Sequence, residues 1–203
     1  MIDLFLEHFQ RVSEYLQGGG IVMPPLMIIS LVMWILIINR VFYFSRLYKK
    51  NMSRDEAGEL IKAHILPDTN KYKGAVAFFV EGFLKRKSGK SSLDEHILDE
   101  TVIIIISSLD KYLNLIGVLA GIAPLLGLLG TVTGMIATFD IISVFGTGNA
   151  KAMAGGISEA LISTQTGLLI AIPGMYMHNF LTKRAEILKQ RISSIGIYLK
   201  RYV

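Results

Sequence analysis

A single carboxylate and a series of hydroxyls stand out in the apolar stretch 121–184, GIAPLLGLLGTVTGMIATFDIISVFGTGNAKAMAGGISEALISTQTGLLIAIPGMYMHNFLTKR. Two segments of membrane-crossing length are joined there by a short Gly-rich hairpin, and Glu159 is the one acid embedded in them. Hydroxyls recur on both segments, at Thr131, Thr133, Thr138, Ser158, Ser163, Thr164 and Thr166, and glycines at 117, 121, 127, 130 and 134. In hydrocarbon an acid is costly and small polar residues hold helices together. The pattern therefore suits helices packed around something polar and not a passive anchor.

Other chemistries find little support. No cysteine is present, which excludes thiol catalysis and Cys-based metal sites, and histidines 8, 64, 96 and 178 lack metal-ligand spacing. GLLGTVTG carries no phosphate-loop lysine, and Gly146-Thr147-Gly148 does not continue as a dinucleotide fingerprint. Without a Ser–His or paired-carboxylate arrangement, neither an enzyme nor a bound cofactor is expected.

The elements that position these residues follow from composition. With 203 residues, 52% hydrophobic and mean hydropathy +0.49, the chain is too apolar for a soluble domain of this size. Its net charge of +5 is partitioned: nineteen of 21 Lys and Arg fall within 40–111 and 183–201, on either side of the hairpin. That is the positive-inside pattern of a membrane protein and not a nucleic-acid face. The expected fold is all-α, with three transmembrane helices and long cytoplasmic helical extensions. Residues 1–20 read as a periplasmic amphipathic helix, with Ile2, Phe5, Phe9, Val12 and Leu16 on one stripe, and a Gly18–Gly20 hinge. The spans read as 21–43, 112–141 and 155–181, with a cytoplasmic helical region over 44–111, a periplasmic hairpin over 142–154 and a cytoplasmic C-terminal helix over 182–203. No cleavable signal peptide is expected, because acids and Arg11 interrupt residues 1–17. In the 44–111 region, Ser53 reads as a helix N-cap, and TVIIIISSL (101–109) as helix continuing into the membrane. Pro124 is expected to kink the second span and Pro173-Gly174 to break the third.

Thr131 lies ten residues before Ile141 and Thr164 nine after Gly155, which puts both roughly 14 Å below the outer surface, near the midplane. Glu159 lies about 6 Å in by the same measure. At 100° per residue, Glu159, Ser163 and Thr166 share a stripe, whereas Thr164 is about 140° from Glu159. Each hydroxyl has a competing role in bonding to a carbonyl of its own helix. Gly127, Gly130 and Gly134 have one in close helix packing.

The segment APLLGLLGTVTGM, followed by GGISEALISTQTGLLIAIP, resembles the MotA/TolQ/ExbB proton-channel family, nearest to its ExbB/TolQ branch. The likeness is strong over 115–185 and looser at GGGIVMPPL. It implies an inner-membrane homopentamer, each subunit with a periplasmic N-terminus and a cytoplasmic C-terminus, whose second and third spans line a central pore. It also implies an ExbD/TolR-like single-span partner dimer in that pore and a TonB/TolA-like energy transducer. Thr131 and Thr164 match the family's pore-lining threonines and Glu159 its third-span acid, so these three are expected on the proton pathway. Thr138, Ser163, Thr166, Pro124, Gly127, Gly130 and Gly134 are expected to line the pore or pack the helices. The implied activity is use of the proton motive force for envelope work such as TonB-dependent transport. A TolQ-like envelope-integrity role, a gliding motor subunit and a non-conducting scaffold are the alternatives.

Overall fold

The computed structural model describes residues 14–48, 52–68, 72 and 74–202. Among these residues all regular structure is helical. A 3-10 turn, Gly20–Val22, leads into α1 (Met23–Tyr48), followed by α2 (Arg54–Ala63), α3 (Ala75–Leu84), α4 (Ser91–Asp110) and α5 (Leu113–Phe145). A 3-10 turn, Gly146–Gly148, then connects to α6 (Ala150–Leu199), which ends in the 3-10 turn Lys200–Tyr202. Three helical stretches, Gly20–Tyr48, Ser91–Gly148 and Ala150–Tyr202, contain runs long and apolar enough to cross a membrane. The stripe over Ile2, Phe5, Phe9 and Val12 lies outside the described residues.

The chain forms two compact units. The first comprises the described residues up to Ile37 together with Leu115–His178. Its polarity is inverted relative to a water-soluble bundle: Leu31, Leu125, Leu169 and Ile172 are exposed, whereas Thr138, Ser163 and Thr166 are buried. Hydrocarbon as solvent favours this arrangement, provided each buried hydroxyl has an internal partner. Pro24 and Pro25 occupy the first turn of α1, where a missing N–H costs little. Neither Pro124 nor Pro173 interrupts its helix, so the break expected at Pro173-Gly174 does not occur. Gly174 instead faces Met33 and Ala120. Each proline leaves one carbonyl four residues earlier, at Ala120 or Leu169, without its helical donor. The connection expected over 142–154 is mostly helical, leaving only a tight turn in which Gly146 has φ +64.

The second unit comprises Ile38–Asn114 with Asn179–Val203. A capping box starts α2: Ser53 Oγ accepts from the Glu56 N–H at 3.2 Å, and the Ser53 N–H donates to Glu56 at 2.9 Å. Val76, Phe79, Val80 and Phe83 of α3 form a buried core with Ile61 and Leu98. The TVIIIISSL run is helical, within α4, but does not continue into α5. Tyr112 adopts φ +65 and separates the two helices. Arg40 stabilises the end of α4. It is only 3% exposed, and its guanidinium donates to the Ser108 and Leu109 carbonyls while lying over the Tyr43 and Phe44 rings. Further along α6, Lys189 pairs with Asp110 at 2.7 Å, Lys200 pairs with Asp99 at 2.7 Å, and the Tyr198 hydroxyl donates to Asp55.

Asp94 organises the loop before α4. It is buried, and its carboxylate accepts from the Ser88 N–H at 2.6 Å, the Ser88 hydroxyl at 3.1 Å and the Gly89 N–H at 2.9 Å. Burial pushes its pKa up, but these hydrogen bonds and the Lys87 charge outweigh that, and the net shift is below the usual carboxylate value. A depressed folded pKa stabilises above the unfolded value of about 3.9 and ceases to do so as pH falls through the folded one. The loop should therefore hold at neutral pH and open only in acid. Asp94→Ala should raise hydrogen exchange at the Ser88 and Gly89 amides about tenfold or more at pH 7, from the loss of roughly 1–3 kcal/mol of hydrogen bonding.

Candidate functional site

The candidate site is built on the seam between α5 and α6. Gly127, Gly130 and Gly134 recur at steps of three and four on α5 and meet Gly156, Ala160, Ser163 and Gly167 on α6. A Cβ on Gly134 would lie 2.8 Å from the Gly156 carbonyl oxygen, and one on Gly167 would lie 2.7 Å from the Ala123 carbonyl oxygen. Both obstacles are backbone, so neither can move aside cheaply. At Gly130 the missing side chain leaves room for Ser163, and at Gly156 it leaves room for Thr138. The helices thus approach backbone to backbone, the packing on which membrane helices depend. His178 closes the same seam, its ring against Gly117.

Most hydroxyls bond within their own helix. Thr131 donates to Leu128 O at 2.6 Å, Thr133 to Gly130 O, Thr138 to Gly134 O, Ser163 to Ala160 O and Thr166 to Ile162 O. Thr164 differs: its hydroxyl crosses the seam to Gly127 O at 2.9 Å. Its backbone, too, stands against Gly127, with Thr164 Cα 3.1 Å from where a Gly127 Cβ would be. In this register Thr131 and Thr164 are not at one level but about one turn, ~5 Å, apart along the antiparallel pair.

The seam also separates the candidates by side. Thr131 follows Gly130 by one residue and Thr164 follows Ser163 by one. In antiparallel helices a step of +100° from the seam turns both side chains toward the same side. Pro124 shares that side, where Leu128, Met135, Leu161 and Leu168 are exposed. Glu159 precedes Ala160 by one residue and Thr166 precedes Gly167, so both turn to the opposite side. That side is occupied by the chain's own N-terminal part. Tyr15 OH lies 2.9 Å from Thr166 Oγ1, Glu159 fills the place of a Gly20 side chain, and Val22 approaches Gly130. The structure therefore brings Thr131 and Thr164 to one side of the hairpin and leaves Glu159, Ser163 and Thr166 away from it.

Two side chains escaped the sequence reading. Arg40 belongs by sequence to an aromatic and basic edge but is buried. Tyr15 falls in a short polar stretch with nothing to mark its bond to Thr166. The one signal for the second was Gly18-Gly19-Gly20, which suits close backbone approach as well as a hinge.

The bond patterns make the two threonines unequal in folding. Thr164→Val should lower the unfolding free energy in detergent by about 1 kcal/mol through loss of an interhelical bond, whereas Thr131→Val should fall within about 0.5 kcal/mol of wild type. Chemical or SDS unfolding followed by circular dichroism checks the difference; equal losses would contradict the assigned register.

Comparison with known proteins places these residues in context. A family model described as MotA/TolQ/ExbB proton channel family matches residues 71–194, which include the whole hairpin. The chain is 28% identical over 206 aligned residues to a biopolymer transport protein named ExbB-like 1 from Synechocystis sp., covering 97% of this chain and 81% of that one. It is 27% identical to the biopolymer transport protein ExbB of Neisseria meningitidis, covering 84% and 85%. Over 78 residues it is 43% identical to the ExbB of Aquifex aeolicus, covering 38% and 53%.

Proposed function

The chain belongs to the MotA/TolQ/ExbB proton channel family, in its ExbB branch, and on that premise we propose that it is an inner-membrane stator subunit driven by the proton motive force. In this reading five copies surround a pore, and an ExbD/TolR-like partner dimer places its single helices inside. A TonB/TolA-like transducer then carries the work to the envelope. The observation that supports it most is the side shared by Thr131 and Thr164, which the chain's own first span leaves open.

The hydrogen bonds give that side a defined chemistry. A threonine hydroxyl has one proton, and both of these are committed to carbonyls, Leu128 O and Gly127 O. What remains outward is acceptor capacity. A neutral carboxylic acid can donate to such oxygens, whereas an ionised carboxylate has nothing to donate and gains no bond. The pair therefore favours the protonated form of an acid brought between the helices. Neither threonine ionises near neutral pH, so the chain offers oxygens that receive a protonated carrier and does not carry the proton itself. The described acids in and beside the hairpin do not supply the carrier. Asp110 is paired with Lys189, Asp140 lies near the turn end of α5, and Glu159 faces the other side. The carrier then comes from the partner helix, as an acidic side chain near the midplane.

The scaffold reading draws on one observation, that Thr131 bonds within its own helix as a purely packing residue would. Proteoliposomes separate the two. The purified chain alone under a pH gradient should pass no sustained proton current. The complex with its single-span partner should conduct, and Thr131→Val should abolish that current without loss of assembly. Sustained flux from the chain alone, or full flux in the Thr131→Val complex, contradicts the proposal. The charge partition gives an independent expectation for topology: a reporter at Gly146 reads as periplasmic and one at Ser88 as cytoplasmic.

A further inference from the structure

The side of α6 that carries Glu159 is covered by a short run of the same chain. Residues 14–18 are helical and are followed by Gly19 and the Gly20–Val22 turn. Tyr15 meets Thr166, a Gly18 side chain would meet Ile162 at 3.2 Å, and a Gly20 side chain would land inside the Glu159 carboxylate. Thr166, Ile162 and Glu159 lie on successive turns of α6, met in reverse order as the segment runs forward. Residues 14–20 therefore lie antiparallel along α6, with Tyr15 about 10 Å further along that helix than Gly20.

Each contact has a chemical reason. Thr166 gives its one proton to Ile162 O, so the Tyr15 phenol is the donor in their 2.9 Å bond and Thr166 Oγ1 the acceptor. The bare backbone at Gly18 and Gly19 allows the segment to lie against Ile162. Gly20 is constrained twice, by φ +68 and by the carboxylate that occupies its Cβ position. Glu159 makes no hydrogen bond or ion pair with any described residue, so what the fold uses here is its shape against Gly20.

We propose that residues 14–20 form a strap on the covered side of the hairpin and that Glu159 is the seat of this strap, a positioning residue and not a station for protons. The inference deepens the channel reading and rests on it for the term proton station; the strap itself is a statement about one chain. It separates two roles that the sequence left joined, with Thr131 and Thr164 serving the path and Glu159 serving the placement of the first span.

The absence of native cysteine makes disulfide trapping a clean test. In membranes containing the full chain and its partner, Gly18→Cys with Ile162→Cys should form an intrachain disulfide on oxidation with copper phenanthroline. Adding Glu159→Gln, which keeps the shape, should leave the yield unchanged. Adding Glu159→Ala or Gly20→Ala should lower it severalfold. Proton flux through the reconstituted complex, measured without the cysteines, should remain within twofold of wild type in Glu159→Gln. Failure of the disulfide to form in the otherwise unmodified chain, or equal yields in Glu159→Gln and Glu159→Ala, would overturn the strap. An intact yield with flux lost in Glu159→Gln would make the acid a proton station after all. Absence of flux in the wild-type complex with the yields as expected would instead strike the channel reading and leave the strap standing.

Discussion

Backbone contact between α5 and α6 is the constraint on which the first unit depends. Water drives no association between apolar helices inside a bilayer, so the pair is held by close approach and by the few bonds that approach permits. Gly134 against the Gly156 carbonyl, and Gly167 against the Ala123 carbonyl, leave no space for a methyl group. That closeness is what allows the Thr164 hydroxyl to reach Gly127 O, since a Cβ at 127 would meet Ser163 O and Thr164 Cα at 3.1 Å and hold the helices apart. Register and orientation are thus fixed together, and with them the side toward which every other polar group points.

Once the sides are fixed, the polar residues divide by what they have left to offer. Thr138 and Ser163 are buried in the seam with their protons given to carbonyls one turn earlier, so they keep polar atoms satisfied without offering a path. Thr131 and Thr164 have also given up their protons, but they remain half-exposed on the open side and retain lone pairs there. A surface of acceptors in an apolar setting has little use for water-like hydrogen bonding and much for a neutral acid. In the proposed channel the same accounting leaves the proton carrier to come from elsewhere, because Glu159, the acid embedded in the hairpin, stands against Gly20 on the other side.

Much of this was legible in the sequence. The three apolar runs and the clustering of Lys and Arg follow from transfer energetics that act residue by residue, and the Ser53–Glu56 capping box is a local pattern that needs no tertiary context. Glycine packing at 127, 130 and 134 was also readable, because spacings of three and four define a helix face. What stayed hidden was relational. Equal counts from the outer ends put Thr131 and Thr164 at one level, but the register is set by which glycine meets which carbonyl, and that shifts them by a turn. The helix end before Tyr112 and the unbroken α6 through Pro173 likewise depend on neighbours. Proline removes one hydrogen bond, and enough packing on either side carries a helix past it.

Arg40 shows a task that a local reading does not reveal. A basic residue that ends the uncharged run 15–39 marks a membrane edge by any statistical rule. Yet burying a guanidinium is costly unless its donors are used, and two of them here go to the last carbonyls of α4, which a helix end leaves without partners. The Tyr43 and Phe44 rings at 4.7 and 5.1 Å supply the favourable faces that a desolvated cation needs. Both bonds come from one terminal nitrogen, and what arginine adds over lysine is the planar guanidinium that lies on the two rings. The left-handed turn at Tyr112 follows directly after this contact. The end of α4 thus combines a contact from α1 with a left-handed residue, so the boundary expected at 111/112 is present but residues 101–113 alone mark neither feature.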